Sequence, residues 1–64
     1  MKIRFKEEDE VVEFGLYSHY NPKLTIGQLI VKDPMYVNWC TKNFKGFFLY
    51  KKLRNKLEIA IKNK

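Results

Sequence analysis

A single cysteine among 64 residues leaves no partner for a disulfide within the chain. One cysteine with one histidine also falls short of the ligand set of a zinc site. No apolar run approaches the roughly 18 residues that span a bilayer. With no signal-peptide pattern and a lone thiol, the expected setting is a reducing cytoplasm, with no membrane association. Acidic groups are scarce in one half only. Residues 34–64 hold Glu58 alone against eight basic groups, a charge of +7, whereas residues 1–33 hold six acidic and five basic groups, a charge of −1. Catalysis has little to build on. Glu7, Glu8, Asp9 and Glu10 crowd one loop with no spacing that would converge them on metal ions. His19 follows Ser18 in a loop without a group to orient it. Cys40 falls on an apolar face, where a thiol packs as a small hydrophobe. The expectation is a chain that is not an enzyme and needs no cofactor or metal.

What is present is aromatic: five Phe, four Tyr and one Trp. A chain this short buries only about 60% of its unfolded surface, so large rings must supply its core. One small domain, residues 1–64, is expected. A homodimer is the other common remedy at this size.

The densest stretch is Asp33-Pro34-Met35-Tyr36-Val37-Asn38-Trp39-Cys40. Asp33 is a helix cap and Pro34 suits the first helical position, where its missing N–H costs nothing. Met35, Tyr36, Trp39 and Cys40 recur on one face of a helix over about 34–41, which Asn43 can close in a left-handed conformation. Upstream, Thr25-Ile26-Gly27-Gln28 matches a capping box opening a short helix to about Val31. Lys2-Ile3-Arg4-Phe5 alternates, and Val11-Val12-Glu13-Phe14-Gly15-Leu16-Tyr17 is β-branched and aromatic. These two runs are expected to pair as an antiparallel hairpin around the turn at 6–10, with Gly15 marking a bulge or a close backbone approach. Ser18 to Lys23 reads as a loop and Phe44-Lys45-Gly46 as a linker. The final helix is expected from Phe47 to Lys62. Leu49, Leu53, Leu57, Ala60 and Ile61 form its apolar stripe, and Glu58 is placed to pair with Lys62. The fold class is therefore α+β: an N-terminal antiparallel β-hairpin, two short helices and a longer amphipathic C-terminal helix.

Phe14-Gly15-Leu16-Tyr17, Leu24-Thr25-Ile26-Gly27-Gln28-Leu29 and Asp33-Pro34-Met35-Tyr36-Val37-Asn38-Trp39 follow one another in an order that resembles a known module. It is the small C-terminal module of exodeoxyribonuclease X-like exonucleases, which also occurs alone in short bacterial and phage proteins. The resemblance covers about residues 12–57. Leu16 stands where that family usually has a basic residue, and the Ser18-to-Lys23 loop replaces a short Lys-Gly turn. The exonuclease domain and its metal-binding carboxylates are absent, so the resemblance implies an accessory module rather than a nuclease. In a phage setting the compartment would be the host cytoplasm.

The functional candidates are Lys42, Lys45, Lys51, Lys52, Arg54 and Lys56, which can track a phosphate backbone. Nothing among them reads bases, so contact with nucleic acid is expected to be sequence-nonspecific. Phe44, Phe47, Phe48 and Tyr50 lie between them and can stack, pack or form a protein interface. Tyr36 and Trp39 can form a stacking platform for unpaired bases or belong to the core. Core is favoured, because the chain has few other large residues to bury. Two functions stay open. One is a non-catalytic, basic nucleic-acid-binding module. The other is a small phage-type module, able to dimerise through its surplus aromatics, that binds and inhibits or modulates a host protein.

Overall fold

The computed structural model of the chain describes residues 3–63. Its elements are strand β1 (Arg4–Phe5), one 3-10 turn (Gly15–Tyr17), helix α1 (Ile26–Lys32), helix α2 (Pro34–Asn43), strand β2 (Phe48–Leu49) and helix α3 (Lys51–Lys62). Lys2, expected in the first strand, lies outside the described residues.

The starts of α1 and α2 are local chemistry. Thr25 Oγ1 accepts from the Gln28 N–H at 3.2 Å, and Gln28 Oε1 accepts from the Thr25 N–H at 2.9 Å, so the capping box closes in both directions. Asp33 Oδ1 accepts from the Tyr36 N–H at 3.1 Å, and Pro34 takes the first turn of α2. The far end of α2 differs from expectation. Asn43 is not left-handed; its Nδ2 donates to the Trp39 carbonyl at 3.1 Å, and the left-handed position is Gly46, with φ of 86°.

The fold class is α+β, but the sheet is parallel, not an antiparallel hairpin. Arg4 pairs with Phe48 and Phe5 with Leu49. The Phe48 N–H donates to the Ile3 carbonyl at 2.9 Å and the Tyr50 N–H to the Phe5 carbonyl at 3.0 Å. Parallel strands need a long crossover, and here the chain between them contains both α1 and α2. The alternation read in Val11–Phe14 is real, since Val12 and Phe14 are buried while Val11 and Glu13 are exposed. Its partner is different. The Val12 N–H donates to the Leu24 carbonyl and the Ile26 N–H to the Glu10 carbonyl, both at 2.8 Å, around one antiparallel bridge between Val11 and Thr25. Alternation says which side chains face inward, not which strand lies alongside. Gly15, at φ of 66°, then ends the extended run. The close approach expected there is present: a Cβ at Gly15 would collide with Tyr36 Oη.

The pairing of Phe48 and Leu49 also moves the start of the last helix from Phe47 to Lys51. Two residues expected on a helical stripe are spent on a strand, with Phe48 outward and Leu49 inward. The core lies between the sheet and the three helices. Phe5, Phe14 and Phe47 form its aromatic centre, and Ile26, Leu29, Ile30, Val37, Leu53 and Leu57 close around them.

Candidate nucleic-acid interface

Helix α3 buries Leu53 and Leu57, which leaves its basic residues on two flanks and a crest. Lys52 and Lys56 occupy one flank. Lys52 Nζ lies 3.0 Å from Glu7 Oε1, and Lys56 Nζ lies 3.4 Å from Glu8 Oε1. The acidic turn reaches α3 because it is anchored on α1: the Gly27 N–H donates to the Glu8 carbonyl at 3.0 Å. The hydrogen bond to Glu7 holds the Lys52 ammonium above its ordinary range. Two of the six expected phosphate-binding cations are thus already neutralised within the chain. Exposed pairs of this kind contribute little to stability, but they remove positive potential from this flank.

The opposite flank carries Arg54, and there the positive charge is free. Arg54 Cζ lies 5.6 Å from the centre of the Phe48 ring, and Arg4 Cζ lies 5.7 Å from the same centre. Lys6 Nζ lies 5.4 Å from the centre of Tyr50, and the Phe48 and Tyr50 rings meet edge to face at 5.2 Å. Among the described residues Arg4, Lys6 and Arg54 make no salt bridge. The parallel pairing creates this face, because it brings Arg4 into register with Phe48. Cation–π contacts position each cation without neutralising it. Arg4 and Lys6 are not among the candidates that the sequence suggests. The signal is nonetheless there: the alternation of residues 3–6 puts both on the side away from buried Phe5. Pairing this run with Val11–Tyr17 hides which face they share.

Lys42, Lys45 and Lys51 are exposed. Lys42 lies one turn beyond Asn38 on α2, Lys45 precedes the turn at Gly46, and Lys51 opens α3. The four candidate interface aromatics divide. Phe47 is buried in the core and Phe44 packs against it, with its ring 5.1 Å from that of Phe14. Phe48 is exposed, and Phe44 and Tyr50 are half-buried.

Trp39 is not in the core. It is 53% exposed and Met35 is exposed beside it, while α2 instead buries Pro34, Val37 and Cys40. With three Phe rings at its centre, the core accepts the smaller face of α2. Trp39 stacks nearly parallel on Tyr36, with an interplanar angle of 10° and centres 6.3 Å apart. Tyr17 meets Tyr36 at 5.3 Å and Tyr20 at 5.2 Å, which makes a row of four rings. The row is pinned by polar contacts: the Leu16 N–H donates to Tyr36 Oη at 3.1 Å, and Tyr17 Oη donates to Asp33 Oδ2 at 2.6 Å.

That last bond pushes the Tyr17 phenol up to about 12, with lost hydration and the negative charge of Asp33 adding to the effect. Burial also raises the Tyr36 phenol and the Cys40 thiol. Because the folded Tyr17 holds its proton more tightly than the unfolded one, its contribution to stability is complete below the ordinary value near 10. That contribution falls as pH rises toward and through about 12. Absorbance titration of the phenolates should therefore show Tyr17 ionising last. Asp33→Asn should bring its ionisation back toward the ordinary value.

Comparison of the chain with protein-family models, with curated proteins and with solved structures found no match. Among the described residues no group of His, Cys, Asp and Glu is placed to hold a metal ion, and no helix is long and apolar enough to cross a membrane.

Proposed function

We propose that the chain is a non-catalytic nucleic-acid-binding module that meets phosphates through the face built on Arg4, Lys6, Phe48, Tyr50 and Arg54. The observation that supports this most is Phe48, exposed between two guanidinium groups that have no carboxylate partner among the described residues. Guanidinium groups suit phosphate because their planar forks match its oxygens. Lys42, Lys45 and Lys51 extend the positive field, while Lys52 and Lys56 contribute only after release from Glu7 and Glu8. The resemblance to an exonuclease-associated module points the same way. The phosphate contacts are sequence-nonspecific.

Fluorescence anisotropy with labelled single-stranded oligonucleotides, read across a salt series, tests this. About four phosphate contacts would give a slope of log K against log salt near −3 on a single strand. No binding at the lowest salt would overturn the proposal.

A second reading is a small module that binds a host protein, or a second copy of itself, and modulates the partner. It is favoured by the exposed Trp39, Met35 and Leu16 around the aromatic row. Light scattering of the free chain checks the dimer: a monomer at high concentration removes it.

A further inference from the structure

A hollow of about 310 Å³ opens between α2 and α3, lined by Asn38, Thr41, Arg54, Leu57, Glu58 and Ile61. Arg54 belongs both to this hollow and to the stack on Phe48. Leu57 and Ile61 make the apolar part of the lining, and Asn38, Thr41, Arg54 and Glu58 the polar part. Thr41 is committed, its Oγ1 donating to the Asn38 carbonyl at 2.7 Å. The side chains of Asn38, Arg54 and Glu58 make no hydrogen bond or salt bridge among the described residues. Arg54 and Glu58 stand four apart on one helix, where opposite charges commonly pair, yet they do not. The pair expected between Glu58 and Lys62 is not formed either.

We infer that this hollow receives one unpaired base of a bound single strand, and that it prefers guanine. The inference rests on the nucleic-acid reading above and deepens it. Apolar lining beside polar groups that no other side chain engages fits a flat heterocycle, whose faces are apolar and whose edges are donors and acceptors. The two charged groups select among the bases. A carboxylate only accepts, and can take two N–H donors at once. Guanine offers N1–H and N2–H side by side on one edge. A guanidinium only donates, and guanine offers O6 and N7 together, the acceptor pair that arginine binds most often. Cytosine and adenine each offer a carboxylate a single amino group. Thymine has one N–H between two carbonyl oxygens, which Glu58 would repel. Asn38 supplies a further donor and acceptor from α2. The strand supplies the phosphates that a free base lacks. Cations stand on both sides to meet them: Arg4 shares the Phe48 ring with Arg54, and Lys42 follows Thr41 on α2.

Anisotropy with two labelled oligonucleotides tests the inference: a run of thymidines, and the same run with one central dG. The guanine-bearing strand is expected to bind about tenfold more tightly, the effect of one good bidentate contact. Glu58→Gln, with an unchanged circular dichroism spectrum, is expected to narrow the difference severalfold, since Arg54 still meets O6 and N7 while glutamine keeps an acceptor for only part of the N1–H and N2–H edge. Equal affinity of the unmodified chain for both strands would overturn the base site and leave phosphate binding standing. No binding of either would overturn both. Guanosine 5′-monophosphate competing as strongly as the dG strand would assign the hollow to a free nucleotide and overturn the strand.

Discussion

Phe14→Ala is expected to leave the chain largely unfolded at room temperature, seen as loss of the cooperative transition in thermal or urea denaturation. Phe14 is 1% exposed. Its ring meets Phe44 at 5.1 Å, Phe47 at 5.5 Å and Phe5 at 6.2 Å, so it touches every other phenylalanine that packs in or against the core. Removing a buried phenylalanine ring costs about 3–5 kcal/mol through forfeited transfer energy and the cavity left behind. Native stability of about 0.05–0.15 kcal/mol per residue gives a chain of this length about 3–10 kcal/mol in all. The loss thus takes at least about a third of the total and, at the low end expected of so small a chain, all of it. The cavity cannot collapse easily either, because Phe14 is followed by Gly15, whose left-handed backbone is held against Tyr36. Phe14→Leu, which keeps most of the volume, should retain a cooperative transition at a lower midpoint. A Phe14→Ala chain as stable as the parent would show that the four-ring cluster is not the centre of the fold.

How much of this was legible in the sequence follows the range of each interaction. The capping box at Thr25 and Gln28 and the Asp33-Pro34 start of α2 involve residues three apart, and both were readable. So were the burial of Phe5, Leu53, Leu57 and Cys40, because a periodic pattern marks an inward side wherever the element ends up. The parallel pairing of Arg4-Phe5 with Phe48-Leu49 was not readable, since residues more than forty positions apart must meet and two-residue strands leave hardly any pattern. Trp39 illustrates a second limit. Two adjacent faces of α2 are apolar, and the choice between them depends on the volume already filled by Phe5, Phe14 and Phe47. Charge shows the third. The lysines of α3 look alike in sequence, and only the docking of the acidic turn on α1 decides that Lys52 and Lys56 are paired while Arg54 stays free.

Reversing both guanidinium charges, Arg4→Glu with Arg54→Glu, is expected to weaken oligonucleotide binding by more than a hundredfold at low salt. Each change removes a cation and adds an anion beside the same ring, so the effect exceeds that of simple deletion. The salt slope should become shallower by about 1.4, since each phosphate that is no longer neutralised on a single strand accounts for roughly 0.7. Both residues are exposed and neither makes a salt bridge among the described residues, so the folded state should survive, which circular dichroism would confirm. The counterpart is Glu7→Gln with Glu8→Gln. Freed of their carboxylates, Lys52 and Lys56 add two cations to the surface of α3, and binding should strengthen severalfold while the slope steepens. The two pairs of changes locate the phosphate path. If the backbone runs over Arg4, Phe48 and Arg54, reversal there is severe and release of the lysines is a modest gain. If it ran instead along Lys52 and Lys56, the order of the two effects would invert, because a strand displacing Glu7 and Glu8 gains most when those carboxylates are already neutral.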